Sequence, residues 1–311
     1  NRKYILLFVL LFVCATPETT IFAQVKFVPS PRLSNLRIRD IRQDSSGYLW
    51  IATAQGLNRY NGYEYALLLK DENAPQATLP SNNILRILPD RSGDLWIATS
   101  RGLCRYDPRA DRIIPYPLDE KNEYHITDLA STPKGTIWMS TFRYGVYRID
   151  AREGKPVRLD VPDDEAPQTA QAILPEGEET LWIGYSNPSA LCRYATTKNQ
   201  SDFFPLPNYI EINCLARFGD TQVWIGTDQG IIAYDTRTRK QTALPASLRN
   251  RPKLSGAKIY GIALNDKKEY TITSSCGAYK YTPKTDRLIR LSSEFAENSE
   301  SNDITCTLED R

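Results

Sequence analysis

One unit of sequence recurs along this chain, and its two best copies read Asp44-Ser-Ser-Gly47-Tyr-Leu-Trp50-Ile-Ala-Thr-Ala-Gln-Gly56-Leu-Asn-Arg-Tyr60 and Asp90-Arg-Ser-Gly93-Asp-Leu-Trp96-Ile-Ala-Thr-Ser-Arg-Gly102-Leu-Cys-Arg-Tyr106. The five tryptophans mark successive copies, 46, 42, 44 and 42 residues apart, and they are Trp50, Trp96, Trp138, Trp182 and Trp224. A sixth copy has Thr271 in the tryptophan position and keeps Ile272, Gly277 and Tyr281. This period predicts a repeat architecture.

Each copy predicts four short strands. The Asp-x-x-Gly segment is typical of a turn, and the Leu-Trp-Ile-Ala-Thr segment is apolar on both faces, as in a strand packed between two sheets. A glycine-bearing turn leads to a third strand ending in tyrosine, and segments such as 63–68 and 112–116 predict a more polar outer strand. We therefore predict an all-β protein, a β-propeller of four-stranded antiparallel blades. The tryptophans are predicted to fill the core between blades.

The predicted domain boundaries follow from the repeat. Residues 24–311 are predicted to form the propeller, with blades centred on Trp50, Trp96, Trp138, Trp182, Trp224 and Thr271. The start of another copy at 301–311 predicts about seven blades, the seventh incomplete. The sequence begins with Asn1 and ends within this copy, so we expect it to be part of a longer protein.

The first 23 residues have the layout of a signal peptide. Arg2 and Lys3 precede an apolar run from Ile5 to Ala15, and Ala23 suits cleavage. This run is too short to cross a bilayer as a helix. We therefore predict an exported, periplasmic domain.

Composition and charge exclude some functions. The chain has 311 residues, 41% of them hydrophobic, which is enough for a large core. Lys and Arg total 39 against 37 Asp and Glu, so the excess of basic charge expected of a dedicated nucleic-acid binder is missing. His125 is the only histidine and no cysteines form a CxxC pair, so we expect no metal site and no cofactor. Cys104 and Cys192 occupy the same position in blades two and four, and we expect buried free thiols there.

The repeat resembles the periplasmic sensor propeller of hybrid two-component regulators from glycan-using gut bacteria. Blades of that family carry the pattern Gln-Asp-x-x-Gly-x-Leu-Trp-Ile-Gly-Thr-x-x-Gly-Leu-x-Arg-Tyr-Asp, which residues 43–60 and 90–107 match nearly throughout. Departures are Thr271, Ala190 in place of the second glycine of copy four, and the missing Asp-turn in copies four and five. By contrast, Ile or Met139 follows every tryptophan, where WD40 blades have Asp.

The resemblance implies a function as well as a fold. It implies a sensor that detects oligosaccharides and controls polysaccharide-utilisation genes, in a parent protein with a second propeller, one inner-membrane helix and cytoplasmic histidine kinase and DNA-binding modules. This chain would bind the oligosaccharide directly or relay binding by the second propeller, in a homodimeric receptor, without catalytic residues of its own. The alternative is a free secreted propeller acting as a polysaccharide lyase or hydrolase, or as a protein-binding scaffold.

Loops on a rigid scaffold commonly carry binding residues, and the turns between second and third strands are the candidates here. Aromatic rings beside planar hydrogen-bonding groups suit a sugar ring. The predicted ligand-binding residues are Gln55, Arg101, Phe142, Arg143, Tyr144, Tyr185, Asn187, Asp228 and Gln229.

Two further sets of residues are predicted to have structural roles. Equivalent positions of the innermost strands hold Asp40, Arg86, Asp128, Ala172, Cys214, Gly261 and Cys306, which we interpret as a structural charge network rather than a catalytic pair. A basic stretch contains Arg237, Arg239, Lys240, Arg249, Arg251 and Lys253. We interpret it as a solvated loop, with binding of an anionic glycan as the alternative.

Overall fold

The computed structural model describes residues 28–30, 32–73, 77–117, 124–150, 155–159, 161, 169–207, 210–291 and 305–308. These residues form six antiparallel sheets arranged as the blades of a propeller, which confirms the predicted fold class. The predicted signal peptide, residues 1–23, lies outside the described residues.

The strands follow one another outward in each blade, from an innermost to an outermost strand. Blade one adds an N-terminal strand, β1, outside β5. The strands of blades one and two are β1 (Val28–Ser30), β2 (Ile38–Gln43), β3 (Leu49–Thr53), β4 (Gly56–Tyr60), β5 (Tyr65–Leu68), β6 (Ile84–Pro89), β7 (Leu95–Thr99), β8 (Gly102–Asp107) and β9 (Arg112–Tyr116). Those of blades three and four are β10 (Ile126–Ser131), β11 (Ile137–Thr141), β12 (Gly145–Ile149), β13 (Pro156–Arg158), β14 (Thr169–Glu176), β15 (Thr180–Ser186), β16 (Ala190–Ala195) and β17 (Gln200–Pro205). Those of blades five and six are β18 (Ile212–Phe218), β19 (Gln222–Thr227), β20 (Gly230–Asp235), β21 (Lys240–Thr242), β22 (Ile259–Leu264), β23 (Tyr270–Ser274), β24 (Gly277–Thr282) and β25 (Arg287–Arg290).

The expectation of a seventh, incomplete blade is wrong for this structure, which has six blades. A blade requires a full copy of the repeat, and only six copies are complete in the sequence. A further copy of the repeat is predicted to start at residues 301–311. The described part of this segment, residues 305–308, forms no strand. Thr305 Oγ1 donates to the carbonyl oxygen of Ile38 at 3.0 Å, so this segment lies beside the innermost strand of blade one.

The tryptophans pack between neighbouring blades, as predicted. Each is at most 3% exposed. The Trp50 ring lies 5.6 Å from Tyr106 of blade two, and the Trp224 ring lies 5.3 Å from Tyr270 of blade six. Every Trp-bearing blade thus contributes an indole to the cluster that joins it to a neighbour.

The first residue of the Asp-x-x-Gly turn has a second role that the sequence did not reveal. Asp44 Oδ1 accepts hydrogen bonds from the backbone N–H groups of Ser46 and Tyr48, while its Oδ2 accepts one from Trp50 Nε1 at 2.8 Å. Asp90 makes the same bond to Trp96 Nε1 at 2.9 Å. In blade four, Glu176 takes this role for Trp182 at 2.8 Å. The carboxylate therefore fixes the turn and satisfies the buried indole N–H together.

Two short helices connect blades five and six, α1 (Ala246–Arg249) and α2 (Pro252–Ser255). Leu248 and Leu254 anchor them to the core. A β-carbon at Gly230 would lie 2.4 Å from the carbonyl oxygen of Ser255, so only glycine allows this close packing. Among the described residues, no helix is long and apolar enough to cross a membrane.

The cysteines allow a test of the core. Cys104 and Cys192 are buried free thiols, as predicted, and burial raises the pKa of Cys192 to about 12. Cys276 is only half-buried. Because the thiolate is the reactive form, we expect iodoacetamide to alkylate Cys276 first in the native protein and to spare Cys104 and Cys192, as mapped by peptide mass spectrometry. All should react in denaturant, and rapid native labelling of Cys104 would contradict the blade packing.

Candidate functional site

The innermost strands surround the central channel, and every one of them contains a β-bulge at the same register position. A bulge adds one residue to a strand and changes the direction of its side chains, and bulges are common beside functional sites. At each bulge, one residue of the innermost strand has no partner opposite it in the second strand. These bulge residues are Arg39, Leu85, Thr127, Gln171, Asn213 and Tyr260. We call the end of the propeller that holds these bulges and the turns between second and third strands the upper side.

The channel carboxylates connect neighbouring blades. Asp40 Oδ2 accepts a hydrogen bond from the backbone N–H of Ile87 in blade two at 3.1 Å. Two blades further on, Asp128 Oδ2 accepts one from the N–H of Ile173 in blade four at 3.0 Å. The second oxygen of each carboxylate accepts the N–H of its own following residue. Both acids are therefore engaged in the structure, as the network interpretation predicts.

The charges around these acids are balanced within the ring. Arg86 Nε lies 3.5 Å from Asp128 Oδ1, and Arg42 Nε lies 3.3 Å from Asp40 Oδ1. Burial raises the pKa of Asp128, and the charge of Arg86 opposes this effect. In blade five Cys214 occupies the equivalent position, where burial and the nearby charge of Asp128 raise its pKa to about 12. Each oxygen of both acids thus accepts a backbone N–H, and each carboxylate also faces an arginine, which is the arrangement of a structural link between blades.

An aromatic platform stands on the upper side of blade three, formed by Phe142 and Tyr144 of the β11–β12 turn. Their rings are 40% and 46% exposed. The N–H of Phe142 donates to the carbonyl oxygen of His125 at 2.9 Å, and the two rings lie 6.2 Å apart. Tyr144 packs edge-on against buried Tyr124 at 4.6 Å. The Arg143 guanidinium lies 5.0 Å from the Phe142 ring centre. These contacts hold two partly exposed aromatic side chains on one turn.

Arg39 brings positive charge to the same region. This bulge residue of blade one is half-buried, and burial together with the charges of Arg37 and Arg86 lowers its pKa. Burial and the charge of Arg39 also lower the pKa of His125. Arg39, Arg86 and His125 therefore lie within electrostatic range at the upper mouth of the channel, although they belong to blades one, two and three. Sequence reasoning missed Arg39. A signal was present, because the apolar positions of each innermost strand are three residues apart, as at Ile38 and Ile41, where regular alternation gives two or four.

The other predicted binding residues are distributed around the upper side. Gln55, Arg101, Asn187 and Gln229 are exposed on the turns of four further blades. Asp228 is half-buried and accepts the N–H of Glu211 at 3.0 Å.

Tyr185 does not lie on the upper surface where the sequence placed it. Its side chain is 2% exposed, and its ring lies 6.0 Å from Phe203. The reason is that β15 extends to Ser186, so Tyr185 is a strand residue packed in the core rather than part of the turn.

The coupling between Arg39 and His125 can be tested directly. Arg39→Gln removes the positive charge, so the pKa of His125 is expected to rise towards its ordinary value of about 6.5. The pKa of His125 is lower in the folded chain than in the unfolded chain, so the unfolded chain gains this proton first as the pH falls. Protonation of His125 therefore decreases the free energy of unfolding as the pH falls through the pKa of the unfolded state. An NMR titration of the single imidazole measures the change, with Arg249→Gln as a control. An unchanged titration in Arg39→Gln would contradict their proximity.

Comparisons with known proteins are consistent with this geometry. A family model described as "Two component regulator propeller" matches residues 32–55 and 78–101. A search of curated proteins found no significant match.

Several solved structures share the fold. The extracellular domain assigned to the hybrid two-component system BT3049 of B. thetaiotaomicron is 20% identical, with a TM-score of 0.74 over 92% of this chain and 39% of that one. The extracellular domain assigned to the hybrid two-component system BT4673 of the same organism is 17% identical. The match has a TM-score of 0.66 and covers 88% of this chain and 39% of that one. Virginiamycin B lyase from Staphylococcus aureus is 15% identical, with a TM-score of 0.64 over 88% and 90%.

These similarities, at such low identity, show a shared propeller fold. The chain spans about two fifths of the two extracellular domains. It carries repeats of the two-component regulator propeller family at residues 32–55 and 78–101, on a propeller similar to the extracellular domains of hybrid two-component systems.

Proposed function

We propose that this chain is a ligand-binding sensor propeller from the periplasmic part of a hybrid two-component regulator, and that its ligand is an oligosaccharide. The observation that carries the proposal is the exposed aromatic platform of Phe142 and Tyr144, fixed beside His125 at the upper mouth of the channel. The family match and the shared fold with sensor ectodomains support the sensory role.

The chemistry of the platform suits a sugar. A pyranose ring has an apolar face of C–H groups and a rim of hydroxyls. The face can stack on Phe142 or Tyr144, while Arg143 and His125 at the edge of the platform can bond the hydroxyls. The corresponding turns of blades one, two and five contribute Gln55, Arg101 and Gln229 as further polar groups on the same side.

Ligand binding would change signalling by shifting the equilibrium between two conformational states of the receptor. A ligand changes the output of a receptor only if it binds two states of that receptor with different affinities. In the parent protein we propose, these states belong to a homodimer whose membrane helix and histidine kinase lie outside this chain. The output would control genes for polysaccharide use.

The enzymatic alternative has less support in the site. The fold shared with a lyase shows that propellers can host catalysis. Here, however, both channel carboxylates accept backbone N–H groups of two blades. No group of three or more His, Cys, Asp or Glu side chains able to hold a metal occurs in the described part of the chain.

The test uses the 311-residue chain and a panel of plant and host oligosaccharides, screened on an array and followed by calorimetry. We expect Phe142→Ala to lower the affinity for the bound oligosaccharide about tenfold, which corresponds to a loss of about 1.4 kcal/mol in the free energy of binding. The matched control is Tyr63→Ala, since Tyr63 is 92% exposed but lies on the opposite side of blade one. Equal losses in both variants, or no binding by the wild-type chain, would contradict the proposal.

A further inference from the structure

Two buried hydrogen-bond donors at the bulge position have no partner within the described residues. They are Arg39 Nε in blade one and Asn213 Nδ2 in blade five. Leaving a buried donor unpaired lowers stability, so folded proteins rarely keep one without an acceptor. Both groups lie at the same register level of the ring, and both donate. An acceptor at the upper mouth of the channel would satisfy the Arg39 donor.

At the level of the bulges, the positive charge of Arg39 is not matched by a negative charge among the described residues. Asp40 and Asp128, the nearest acids of the innermost strands, already pair with Arg42 and Arg86 and accept backbone N–H groups. Arg39 forms no ion pair with any residue that the structure describes. Its charge is close enough to affect both Arg86 and His125. An isolated, half-buried guanidinium is stabilised by an anion, which it binds with directed N–H groups.

This cationic mouth is continuous with the aromatic platform. His125 lies within the range of the Arg39 charge, and its ring is 6.2 Å from Phe142. The guanidinium of Arg143 lies 5.0 Å from the centre of the same Phe142 ring. A sugar stacked on Phe142 would therefore place a substituent or a neighbouring unit beside His125 and Arg39.

We propose that the ligand is an acidic oligosaccharide, and that Arg39, with His125 beside it, binds its carboxylate or sulfate group. This inference rests on the proposed function and specifies its ligand class. Arg39 supplies the charge and the N–H donors, and Phe142 supplies the stacking surface.

The basic stretch between blades five and six is a weaker candidate for the same role. Arg239 lies 3.6 Å from Asp202, so part of the charge of this stretch is neutralised. Arg249 and Arg251 are exposed to solvent, where salt screens their charge. The test below includes Arg249 to separate the two regions.

The experiment compares matched probes on the whole chain. One pair is trigalacturonate and its carboxyl-reduced counterpart, and the other is neocarrabiose 4-sulfate and its desulfated form, neocarrabiose, so that one member of each pair is neutral. Calorimetry measures affinity, and the imidazole signal of His125, the only histidine, reports binding at the mouth. The variants are Arg39→Gln, Arg39→Lys, which keeps the charge, Phe142→Ala and the control Arg249→Gln. Thermal melting of each variant verifies its fold.

We expect an acidic probe of at least one pair to bind ten times more tightly than its neutral partner and to shift the His125 signal. The pair that shows this preference identifies the anion. Arg39→Gln should remove the preference, Arg39→Lys should keep part of it, and Arg249→Gln should leave it unchanged, while Phe142→Ala should weaken both partners. Equal binding of acidic and neutral probes, or a preference lost in Arg249→Gln instead, would overturn this inference and leave the proposed function standing. If neither these probes nor the neutral panel binds, the proposed function itself is wrong.

Discussion

Trp96→Ala is expected to lower the free energy of unfolding by about 3–5 kcal/mol, the usual range for removing a large aromatic side chain from a core. Trp96 is fully buried between blades two and three. Its ring lies 4.8 Å from Tyr116, and the Arg105 guanidinium lies 5.9 Å from its centre. Alanine would leave a cavity between two sheets that cannot close without moving a blade.

Chemical denaturation followed by fluorescence and circular dichroism measures this loss. Trp96→Phe is the matched variant, because it keeps most of the packing but removes the indole N–H that Asp90 accepts at 2.9 Å. We expect it to cost about 1–3 kcal/mol, the penalty for a hydrogen bond lost to a charged group. A Trp96→Ala loss below that of Trp96→Phe would contradict the assignment of this residue to the inter-blade core.

Asp128→Ala is expected to lower the free energy of unfolding by about 2–4 kcal/mol, because the change breaks a partly buried ion pair and an inter-blade hydrogen bond together. The N–H of Ile173 loses its acceptor at 3.0 Å, and Arg86 loses the carboxylate at 3.5 Å. The equivalent position of blade four is Ala172, so a blade can form without this acid and the variant should still fold.

A double-mutant cycle with Arg86→Ala separates the two contributions. If the ion pair matters, the double variant should lose less stability than the sum of the single variants. Asp128→Asn should lose less than Asp128→Ala, since its amide oxygen still accepts the N–H of Ile173. A wild-type melting curve for Asp128→Ala would show that the carboxylate does not link blades three and four. It would also reopen the possibility that this acid serves a chemical function.

The structural role of these acids bears on function. Propellers of similar fold include extracellular domains of two-component systems and a lyase, so the fold alone does not separate binding from catalysis. The contacts of individual residues bear on this question. The acids of the channel hold the ring together, while the groups with unused donors and exposed rings, Arg39 and Phe142, suit binding.

Much of the fold was predictable from the sequence. The repeat of Trp, Gly and Tyr residues determined the blades, their four strands and the burial of the tryptophans, because these properties depend on residues close together in the chain. The predicted outer strand at 112–116 coincides with β9, and the one at 63–68 begins two residues later, at Tyr65, after the turn. Cys104 and Cys192 are buried for the same reason.

The full set of residues at the candidate site could not be predicted, because it depends on contacts between blades. The turn of blade three and its aromatic residues were identified from the sequence, but Tyr185 was misplaced because strand β15 is longer than the repeat predicts. The number of blades also differed, since the repeat count cannot show whether a partial copy forms a sheet.

Only the tertiary structure brought together Arg39, Arg86 and His125, which come from three blades. Local sequence determines each strand and turn, because turn chemistry and side-chain alternation act over a few residues. The position of one blade against the next depends on the packing of whole sheets, which joins residues far apart in the chain. The sequence by itself therefore determined the repeat architecture, and the packing of the blades decided which charges meet at the channel mouth.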